Sequence, residues 1–300
     1  MISVEEILNI IDYQIVEGDK GRLIGEVLPL QALEHSTQSI TWVSEKNLQQ
    51  LDGVRNGAVV CPVNTTALYD TVTYIKVQNP RLVFSKIHKL LFPVEQRQMI
   101  ASSAVLAKHV TIGKDVCIEH HVVIEEGCEI GEHTVIGANT VIRAGAKIGD
   151  HVMIGCNCSI GGLGFGYELN EQGVYERIKH TGNVVIGDYV EIGSNTCIDR
   201  AVLGSTHIAD HCKIDNLVHI AHGVRIGRNS VIIANSMIAG STVIGANVWV
   251  APSASVLNKL TIADDAILGM GTVIIRNVEE GDVVAGNPGK VLKKTKPGKE

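Results

Sequence analysis

The chain has 300 residues, of which 45% are hydrophobic and only 4% aromatic, and its formal net charge is −6. This charge, without any basic stripe, argues against a nucleic acid as partner. No apolar stretch is long enough for a transmembrane segment, and the first residues lack the basic-then-apolar layout of a signal peptide. The seven cysteines form no CxxC pair, so we predict a cytoplasmic protein with reduced cysteines.

Residues 1–98 show no regular repeat and predict a small α/β domain. Ser3 followed by Glu6 is a capping box that opens an apolar-periodic helix. That helix is expected to carry Ile7, Leu8 and Ile11. Two short strands and a second helix are predicted further along, at Gly57–Cys61, Thr73–Val77 and from Asn79-Pro80 to Pro93.

From residue 99 to residue 282 an aliphatic residue returns at nearly every sixth position. At this spacing of six, ten successive positions from Leu106 to Ile160 are aliphatic, then three from Ile186 to Ile198, and then twelve from Ile208 to Ile274. A period of six fits neither an amphipathic helix, with its period of 3.6, nor an ordinary strand, with its period of 2. It predicts a solenoid in which each short strand forms one side of a coil.

Each hexapeptide also carries a small or β-branched residue four positions after the aliphatic one, as at Val122 and Thr134. The residue directly after the aliphatic one is often Gly, Ala or Asp, which we interpret as a tight corner that needs backbone freedom. This pattern resembles the left-handed parallel β-helix of the hexapeptide acyltransferases. The resemblance implies a mainly β fold in which three hexapeptides make one triangular coil, so that residues 18 positions apart stack.

Two interruptions break the repeat, at 161–183 and 199–207. The longer one contains a Gly-rich stretch with Phe165 and Tyr167, and it ends at Arg177-Ile-Lys-His180. A long loop that leaves a rigid scaffold is where binding residues usually lie, although a surface excursion without a ligand is the alternative. After residue 282 the period fades into a C-terminal segment, 283–300, with a lysine-rich end.

His219 and His222 stand out because neither occupies an inward repeat position. Acyl transfer from a thioester to an amine needs a group that removes a proton as the nitrogen attacks, and histidine suits this role. The oxyanion that forms also needs donors, often a backbone N–H. Gly240 follows His222 by 18 residues, so an 18-residue coil would place it next to the histidine. A chance pairing among the twelve histidines is the alternative.

Residues 164–200, 213–222 and 238–242 together resemble LpxD, the UDP-3-O-acylglucosamine N-acyltransferase family of lipid A synthesis. The N-terminal domain, with Ile40-Thr-Trp-Val and Asn79-Pro80, is similar to the nucleotide-binding domain of that family.

The resemblance to LpxD implies three catalytic roles. His222 is the expected base, Gly240 the expected source of the oxyanion-hole amide, and Asp215 a carboxylate that orients the base. It also implies a homotrimer, with active sites in the grooves between neighbouring solenoids, and a nucleotide-linked sugar as acceptor. We expect the substrate to contact His219, Asn216, Phe165, Tyr167 and Trp42.

The sequence also departs from that family. Glu45 and Leu48 replace the Asn and Tyr that contact uracil, while Trp42 remains to stack on a base. His219 replaces a glutamine, Lys259 stands where the family has a second histidine, and the C-terminal helical extension around acyl carrier protein is missing. These departures predict a divergent relative.

The C-terminal segment predicts the donor site. Residues 285–290 resemble the closing segment of CoA-dependent hexapeptide acetyltransferases, which lies near the CoA. The donor, acyl-CoA or acyl carrier protein, is expected to contact Gly286, Asn287, Lys290 and Lys259. No permanently bound cofactor or metal is expected.

The sequence therefore predicts an N-acyltransferase for a nucleotide-linked amino sugar, in lipid A or surface-polysaccharide synthesis. A CoA-dependent O-acetyltransferase of a sugar or small molecule is the second hypothesis. Two others remain open. One is a carbonic anhydrase with a zinc-type ion on histidines such as His207, His211 and His219, and the other is a non-catalytic scaffold.

Overall fold

The computed structural model describes residues 1–32, 36–93 and 99–294. The chain divides into two compact units, Met1–Glu95 and Gln96–Glu300. The predicted domain boundary at residue 98 and the end of the basic tail, 295–300, lie outside the described residues. No helix of the described residues is both long and apolar enough to cross a membrane.

The N-terminal unit is a five-stranded sheet with its two α-helices packed on one face and a 3-10 helix on the other. Its elements are β1 (Ile2–Ser3), α1 (Val4–Leu8), β2 (Ile15–Glu17), β3 (Leu23–Ile24), β4 (Glu26–Val27), a 3-10 turn (Leu30–Ala32), β5 (Ser39–Trp42), the 3-10 helix (Glu45–Gly53), β6 (Ala58–Pro62), β7 (Thr73–Val77) and α2 (Pro80–Leu91). The strands of the sheet follow the order β2-β7-β6-β5-β4, in which β2 is antiparallel to β7 and the remaining neighbours are parallel. The short strands β1 and β3 form a separate antiparallel pair.

The predictions for this unit are largely confirmed. The capping box is present, since Ser3 Oγ accepts a hydrogen bond from the Glu6 amide and the Ser3 amide donates to Glu6 Oε2. The predicted strand at Thr73–Val77 is confirmed, and the other lies one residue later than predicted, at Ala58–Pro62. The first helix is shorter than predicted, because α1 ends at Leu8 and Ile11 lies outside it.

The second unit is a solenoid of short parallel strands. Before the longer interruption its strands are β8 (Met99–Ile100), β9 (Val105–Leu106), β10 (Thr111–Ile112), β11 (Cys117–Ile118), β12 (Val123–Ile124), β13 (Glu129–Ile130), β14 (Val135–Ile136), β15 (Val141–Ile142), β16 (Lys147–Ile148), β17 (Met153–Ile154) and β18 (Ser159–Leu163). The interruption itself contains an antiparallel pair, β19 (Tyr167–Leu169) and β20 (Tyr175–Arg177).

The strands after the interruption continue the same pattern. They are β21 (Asn183–Ile186), β22 (Glu191–Ile192), β23 (Cys197–Arg200), β24 (Ser205–Ile208), β25 (Lys213–Ile214), β26 (His219–Ile220), β27 (Arg225–Ile226), β28 (Val231–Ile232), β29 (Met237–Ile238), β30 (Val243–Ile244), β31 (Trp249–Val250), β32 (Ser255–Val256), β33 (Thr261–Ile262), β34 (Ile267–Leu268), β35 (Val273–Ile274), β36 (Asp282–Ala285) and β37 (Lys290–Lys294).

These strands form the three faces of a left-handed parallel β-helix, as predicted. The first face is an eleven-stranded sheet that begins at β8, the second a nine-stranded sheet from β9 to β35, and the third an eight-stranded sheet from β10 to β33. Except across the longer interruption and at the C-terminal end, each strand pairs with the third strand along the chain, as Thr111 of β10 pairs with Glu129 of β13. Residues 18 apart therefore stack wherever no interruption intervenes.

The interior of the solenoid is a column of aliphatic side chains. The aliphatic residues of the repeat are almost fully buried, as Ile124 and Ile220 illustrate, and the small residues between them fill the remaining space. Burial of one such side chain contributes roughly 1.5–3 kcal/mol. The two interruptions do not break this column, because Ser159 pairs with Cys197 in the next coil although 38 positions separate them.

The structure gives a different reason for the small residues at the corners. The left-handed backbone conformation belongs to a residue two positions after them, such as Asn139 with a φ of 61°. At Gly137 itself, an added Cβ would lie 2.7 Å from the carbonyl carbon of Gly155 in the next coil. Close stacking of the coils, rather than backbone freedom, therefore selects glycine at this position.

Candidate active site

Both interruptions leave the solenoid at the same edge. The longer one follows β18 and the shorter one follows β23, and these two strands are neighbours on the second face. The next strands on that face are β26 and β29, which lead into His222 and Gly240 respectively. The fold therefore gathers the two inserted loops and two of the three predicted catalytic residues, His222 and Gly240, along one corner of the solenoid.

The longer interruption is a β-hairpin with an aromatic and basic cluster at its base. The ring centroids of Phe165 and Tyr167 lie 4.9 Å apart, and Phe165 is 83% exposed. Arg177 Nη2 donates a 2.6 Å hydrogen bond to the Tyr167 hydroxyl across the hairpin. Arg200 Nε donates to the Gly161 carbonyl, which ties the start of the hairpin to the solenoid. Phe165 and Tyr167 are thus available for the substrate contacts predicted from the sequence.

The backbone around His222 is fixed on both sides. Its carbonyl accepts a 2.9 Å hydrogen bond from the Ser241 amide in the next coil, and the Gly223 amide donates to Thr206 Oγ1 at 2.8 Å. The side chain is half-buried. These hydrogen bonds fix the backbone that carries the imidazole, and a general base needs such a fixed position to reach the proton of its substrate.

Gly240 stacks directly against the His222 ring, as the 18-residue spacing predicted. A Cβ placed on Gly240 would lie 2.7 Å from His222 Nε2 and 2.8 Å from Cε1. Glycine is therefore required here for space. The Nε2–Cε1 edge of His222 is the part of the ring that faces Gly240.

The amide of Gly240 has no acceptor among residues 1–32, 36–93 and 99–294. Two corner amides of the same kind do have one: the Ala234 amide donates to Asp215 Oδ2 at 3.2 Å, and the Ala246 amide donates to Asp264 Oδ1 at 2.8 Å. The Gly240 N–H therefore remains able to donate a hydrogen bond to a ligand.

The surroundings of His222 favour the neutral form of its imidazole. Burial lowers the pKa of the His222 imidazole below its usual value, and the neighbouring His180 lowers it further. The rings of His180 and His222 meet edge to face, with centroids 5.2 Å apart. A neutral imidazole is the form that can take up a proton, so this environment suits a general base.

Asp199 is a further ionisable group at this corner. Burial raises the pKa of the Asp199 carboxyl, and the electrostatic interactions with His219 and then His180 partly oppose that rise. Its Oδ2 lies 3.8 Å from His219 Nε2. His219, expected to contact the substrate, therefore lies near the same corner as His222 and is paired with an acidic side chain.

Asp215 and Asn216 lie at a different corner from His222, after β25 on the first face. Asp215 Oδ1 accepts hydrogen bonds from the Asn216 amide and side chain, and Asn216 Oδ1 accepts one from the Ser194 amide. No hydrogen bond or ion pair joins Asp215 to His222 within the described part of the chain. The single chain therefore does not bring Asp215 to the base.

The predicted donor and nucleotide contacts are spread over the molecule. Lys259 is exposed, and its amide donates to the Gly240 carbonyl at 3.0 Å, so it follows Gly240 on the same corner. Gly286, Asn287 and Lys290 lie in and beside the turn between the antiparallel strands β36 and β37. In the N-terminal unit, Trp42 packs against Phe84 with ring centroids 6.4 Å apart, so only part of its indole is open to a base.

A cavity of about 440 Å³ lies on the first face of the solenoid, away from His222. Its lining combines the charged side chains of Glu191, Lys213 and Asp215 with apolar ones such as Met153 and Val231. Asp215 is the one predicted catalytic residue that borders it.

The three histidines considered for a metal do not converge. His207 lies on β24 of the third face, His211 stacks on Tyr189, and His219 lies on β26 beside Asp199. Within residues 1–32, 36–93 and 99–294, no group of three His, Cys, Asp or Glu side chains could hold a metal ion. The carbonic anhydrase hypothesis has no support within one chain.

Similarity to known proteins identifies the family. The bacterial transferase hexapeptide family (six repeats) matches residues 127–162 and 205–240. The UDP-3-O-acylglucosamine N-acyltransferase of Campylobacter lari is 44% identical over 257 residues, which cover 81% of this chain and 80% of that protein. This chain belongs to the UDP-3-O-acylglucosamine N-acyltransferase family, and it is an acyltransferase.

Other members and solved structures agree with this assignment. The UDP-3-O-acylglucosamine N-acyltransferase of Campylobacter curvus is 37% identical over 274 residues, covering 87% of this chain and 86% of that protein. The UDP-N-acetylglucosamine acyltransferase structure from Francisella novicida has a TM-score of 0.61 at 23% identity, covering 65% of this chain and 70% of that one. The corresponding structure from Campylobacter jejuni has a TM-score of 0.60 at 22% identity, with coverages of 65% and 75%. These structural similarities show the same fold.

Two residues of this family member's candidate site were not predicted from the sequence. His180 ends the polar stretch of the longer interruption, and Asp199 begins the shorter interruption, but the sequence assigned no role to either residue. Both positions border an interruption of the repeat, which is the signal that could have marked them. Their proximity to His222 and His219 depends on how the inserted segments return to the solenoid.

Proposed function

We propose that this protein transfers an acyl group from a thioester donor to the amine of a UDP-linked 3-O-acylglucosamine, in lipid A synthesis. The observation that carries this proposal is the stacking of Gly240, with its unpartnered amide, on the half-buried ring of His222. The curated relatives named for this reaction support the substrate class. Seven cysteines without a disulfide support a reducing compartment, so we place the reaction in the cytoplasm.

His222 acts as the general base while the amine attacks. As the nitrogen attacks, neutral His222 accepts a proton from it through Nε2, the nitrogen at the edge that faces Gly240. The amine nitrogen forms a bond to the thioester carbonyl carbon, and the carbonyl oxygen becomes an oxyanion. The Gly240 N–H donates a hydrogen bond to that oxyanion and stabilises it. As the intermediate collapses, the carbon–sulfur bond breaks, the thiolate takes the proton from His222, and the amide product remains.

Asp215 and Asn216 would act from a neighbouring copy of the chain. They lie at a different corner of the solenoid from His222, so packing of two solenoids side by side is needed to bring them to the base. We therefore propose a homotrimer whose grooves combine the His222 corner of one subunit with the Asp215 face of the next. Exposed apolar side chains on the solenoid, including Met153 and Met237, support such an interface. Sedimentation equilibrium tests the trimer directly.

The donor could be an acyl carrier protein or an acyl-CoA, and the C-terminal turn favours CoA. Lys290 and Lys293 are exposed on β37, next to the turn that carries Gly286 and Asn287. Cationic side chains of this kind bind phosphate groups such as those of CoA. We propose acyl-CoA as a donor, with the acyl carrier protein as the competing hypothesis. Parallel assays with both donors decide between them.

The test is product formation with defined substrates. The purified full chain is incubated with UDP-3-O-acylglucosamine and either acyl carrier protein or CoA thioesters, and the product is read by mass spectrometry. We expect one acyl group to be added to the amine. UDP-N-acetylglucosamine, which offers a hydroxyl and no free amine, is the matched control acceptor. Acylation of that control alone would overturn N-acyl transfer in favour of the O-acyltransferase hypothesis.

A further inference from the structure

His180 is a buried side chain at the end of an exposed hairpin. The nine residues before it, 171–179, are all exposed, whereas His180 is only 4% exposed. Its Nδ1 lies 2.8 Å from the Ile178 carbonyl oxygen. A carbonyl oxygen can only accept, so Nδ1 carries the hydrogen and Nε2 of the neutral ring carries a lone pair. That Nε2 is buried and has no hydrogen-bond partner.

The unpartnered Nε2 lies beside His222, and Gly164 makes this proximity possible. A Cβ on Gly164 would lie 2.8 Å from His180 Nε2 and 2.8 Å from His222 Cβ, so the two side chains approach each other across a glycine. His180 thus lies at the Cβ end of the His222 side chain, while Gly240 faces its Nε2–Cε1 edge. The His222 side chain therefore has His180 near its Cβ end and the predicted oxyanion site near Nε2 of its ring.

The charged groups around this pair come from two strands, β23 and β26. Asp199, on β23, carries the carboxylate that interacts with His180 and His219. His219 lies on β26, three residues before His222. Arg200 donates its side-chain hydrogen bonds to the carbonyls of Gly161 and Ala144, so its guanidinium is engaged with the backbone.

We propose that His180 is a positioning residue for His222: the lone pair on His180 Nε2 accepts the Nδ1–H of His222 and so selects the tautomer with a free Nε2. This role rests on the proposed function of His222 as the base. A small rotation of the His222 ring completes the hydrogen bond, since catalytic hydrogen bonds are often long in the absence of substrate. The selected tautomer leaves the lone pair on the nitrogen that faces Gly240.

The test compares His180→Leu, which removes the acceptor, with His180→Gln, which keeps a side-chain oxygen acceptor. His207→Gln is the matched control, because His207 lies on the third face of the solenoid. The tautomer of His222 is read from imidazole nitrogen chemical shifts of the full chain labelled at histidine, at pH 8 and without substrate. Thermal unfolding of each variant confirms that it folds.

We expect the wild-type chain and His180→Gln to hold His222 mainly with hydrogen on Nδ1, and His180→Leu to give a mixture of tautomers. We expect kcat of His180→Leu to fall about tenfold with KM within about twofold, and His180→Gln to recover most of that loss.

An unchanged His222 tautomer in folded His180→Leu would overturn the role of His180. So would equal losses of kcat in the folded Leu and Gln variants, because the Gln side chain keeps an acceptor. Because the tautomer is measured without substrate, a wild-type chain that lacks N-acyltransferase activity would count against the proposed function alone.

Discussion

The imidazole of His222 occupies the space that a side chain on Gly240 would need. The two residues are 18 positions apart, and one coil of the solenoid brings them to within contact distance. A β-helix achieves this without any loop rearrangement, because every residue stacks on its counterpart in the next coil. The rigid repeat thus sets the spacing between the proposed base and the proposed oxyanion donor.

Gly240→Ala is expected to reduce kcat about a hundredfold, because the added methyl group displaces the His222 ring by about an ångström. Steady-state kinetics with saturating acceptor measures the effect. Gly53→Ala is the matched control, since a Cβ there meets no atom within 4 Å. Unchanged kcat in Gly240→Ala would show that the ring and the glycine do not act together.

His222→Ala is expected to lower kcat by about 10²–10⁴-fold, the usual contribution of a general base. The solenoid should remain folded, since the side chain is only half-buried and lies outside the aliphatic core. The control is His207→Ala, for which we expect activity within about twofold of the wild type. A fall in acceptor affinity with intact kcat would instead assign His222 to binding.

Activity should persist at more acidic pH than an ordinary histidine base allows. Burial, and then His180, lower the pKa of His222, and the base is active in its neutral form. The acid limb of kcat/KM should therefore lie below the usual histidine pKa of about 6.5. A pH profile between about pH 4.5 and pH 9 checks this, and a limb above that value would contradict the assignment.

Asp199→Asn is expected to stabilise the protein more at pH 8 than at pH 5. Burial raises the pKa of Asp199 in the folded state, so its ionisation costs folding free energy that an unfolded chain does not lose. The folded state therefore has its full stability below the pKa of Asp199 in the unfolded chain. It loses that part of its stability as the pH rises through the higher pKa of Asp199 in the folded protein. Denaturant midpoints of both proteins at the two pH values give the difference. A larger gain at pH 5 would indicate that the charged carboxylate stabilises the fold through His219.

The sequence predicted much of the candidate site because the repeat converts spacing into geometry. With a six-residue period and three strands per coil, the contact between His222 and Gly240 followed from their separation alone. The sequence could not place Asp215 relative to the base, because His222 lies at another corner of the solenoid and only an assembly of chains would join the two residues. His180 was not predicted, because it follows a hairpin that lacks the six-residue period. The sequence could not show where the chain returns from this hairpin to the solenoid.

In the sequence, the aliphatic residue at every sixth position determined a solenoid with a continuous core, and the resemblance to LpxD implied its 18-residue coil and its family. The tertiary structure decided what surrounds the base. The hairpin between β18 and β21 brings a buried imidazole from 42 positions upstream against His222. It can do so because Gly164 leaves room for both side chains. Such a contact depends on the path of an irregular segment, which no repeat encodes.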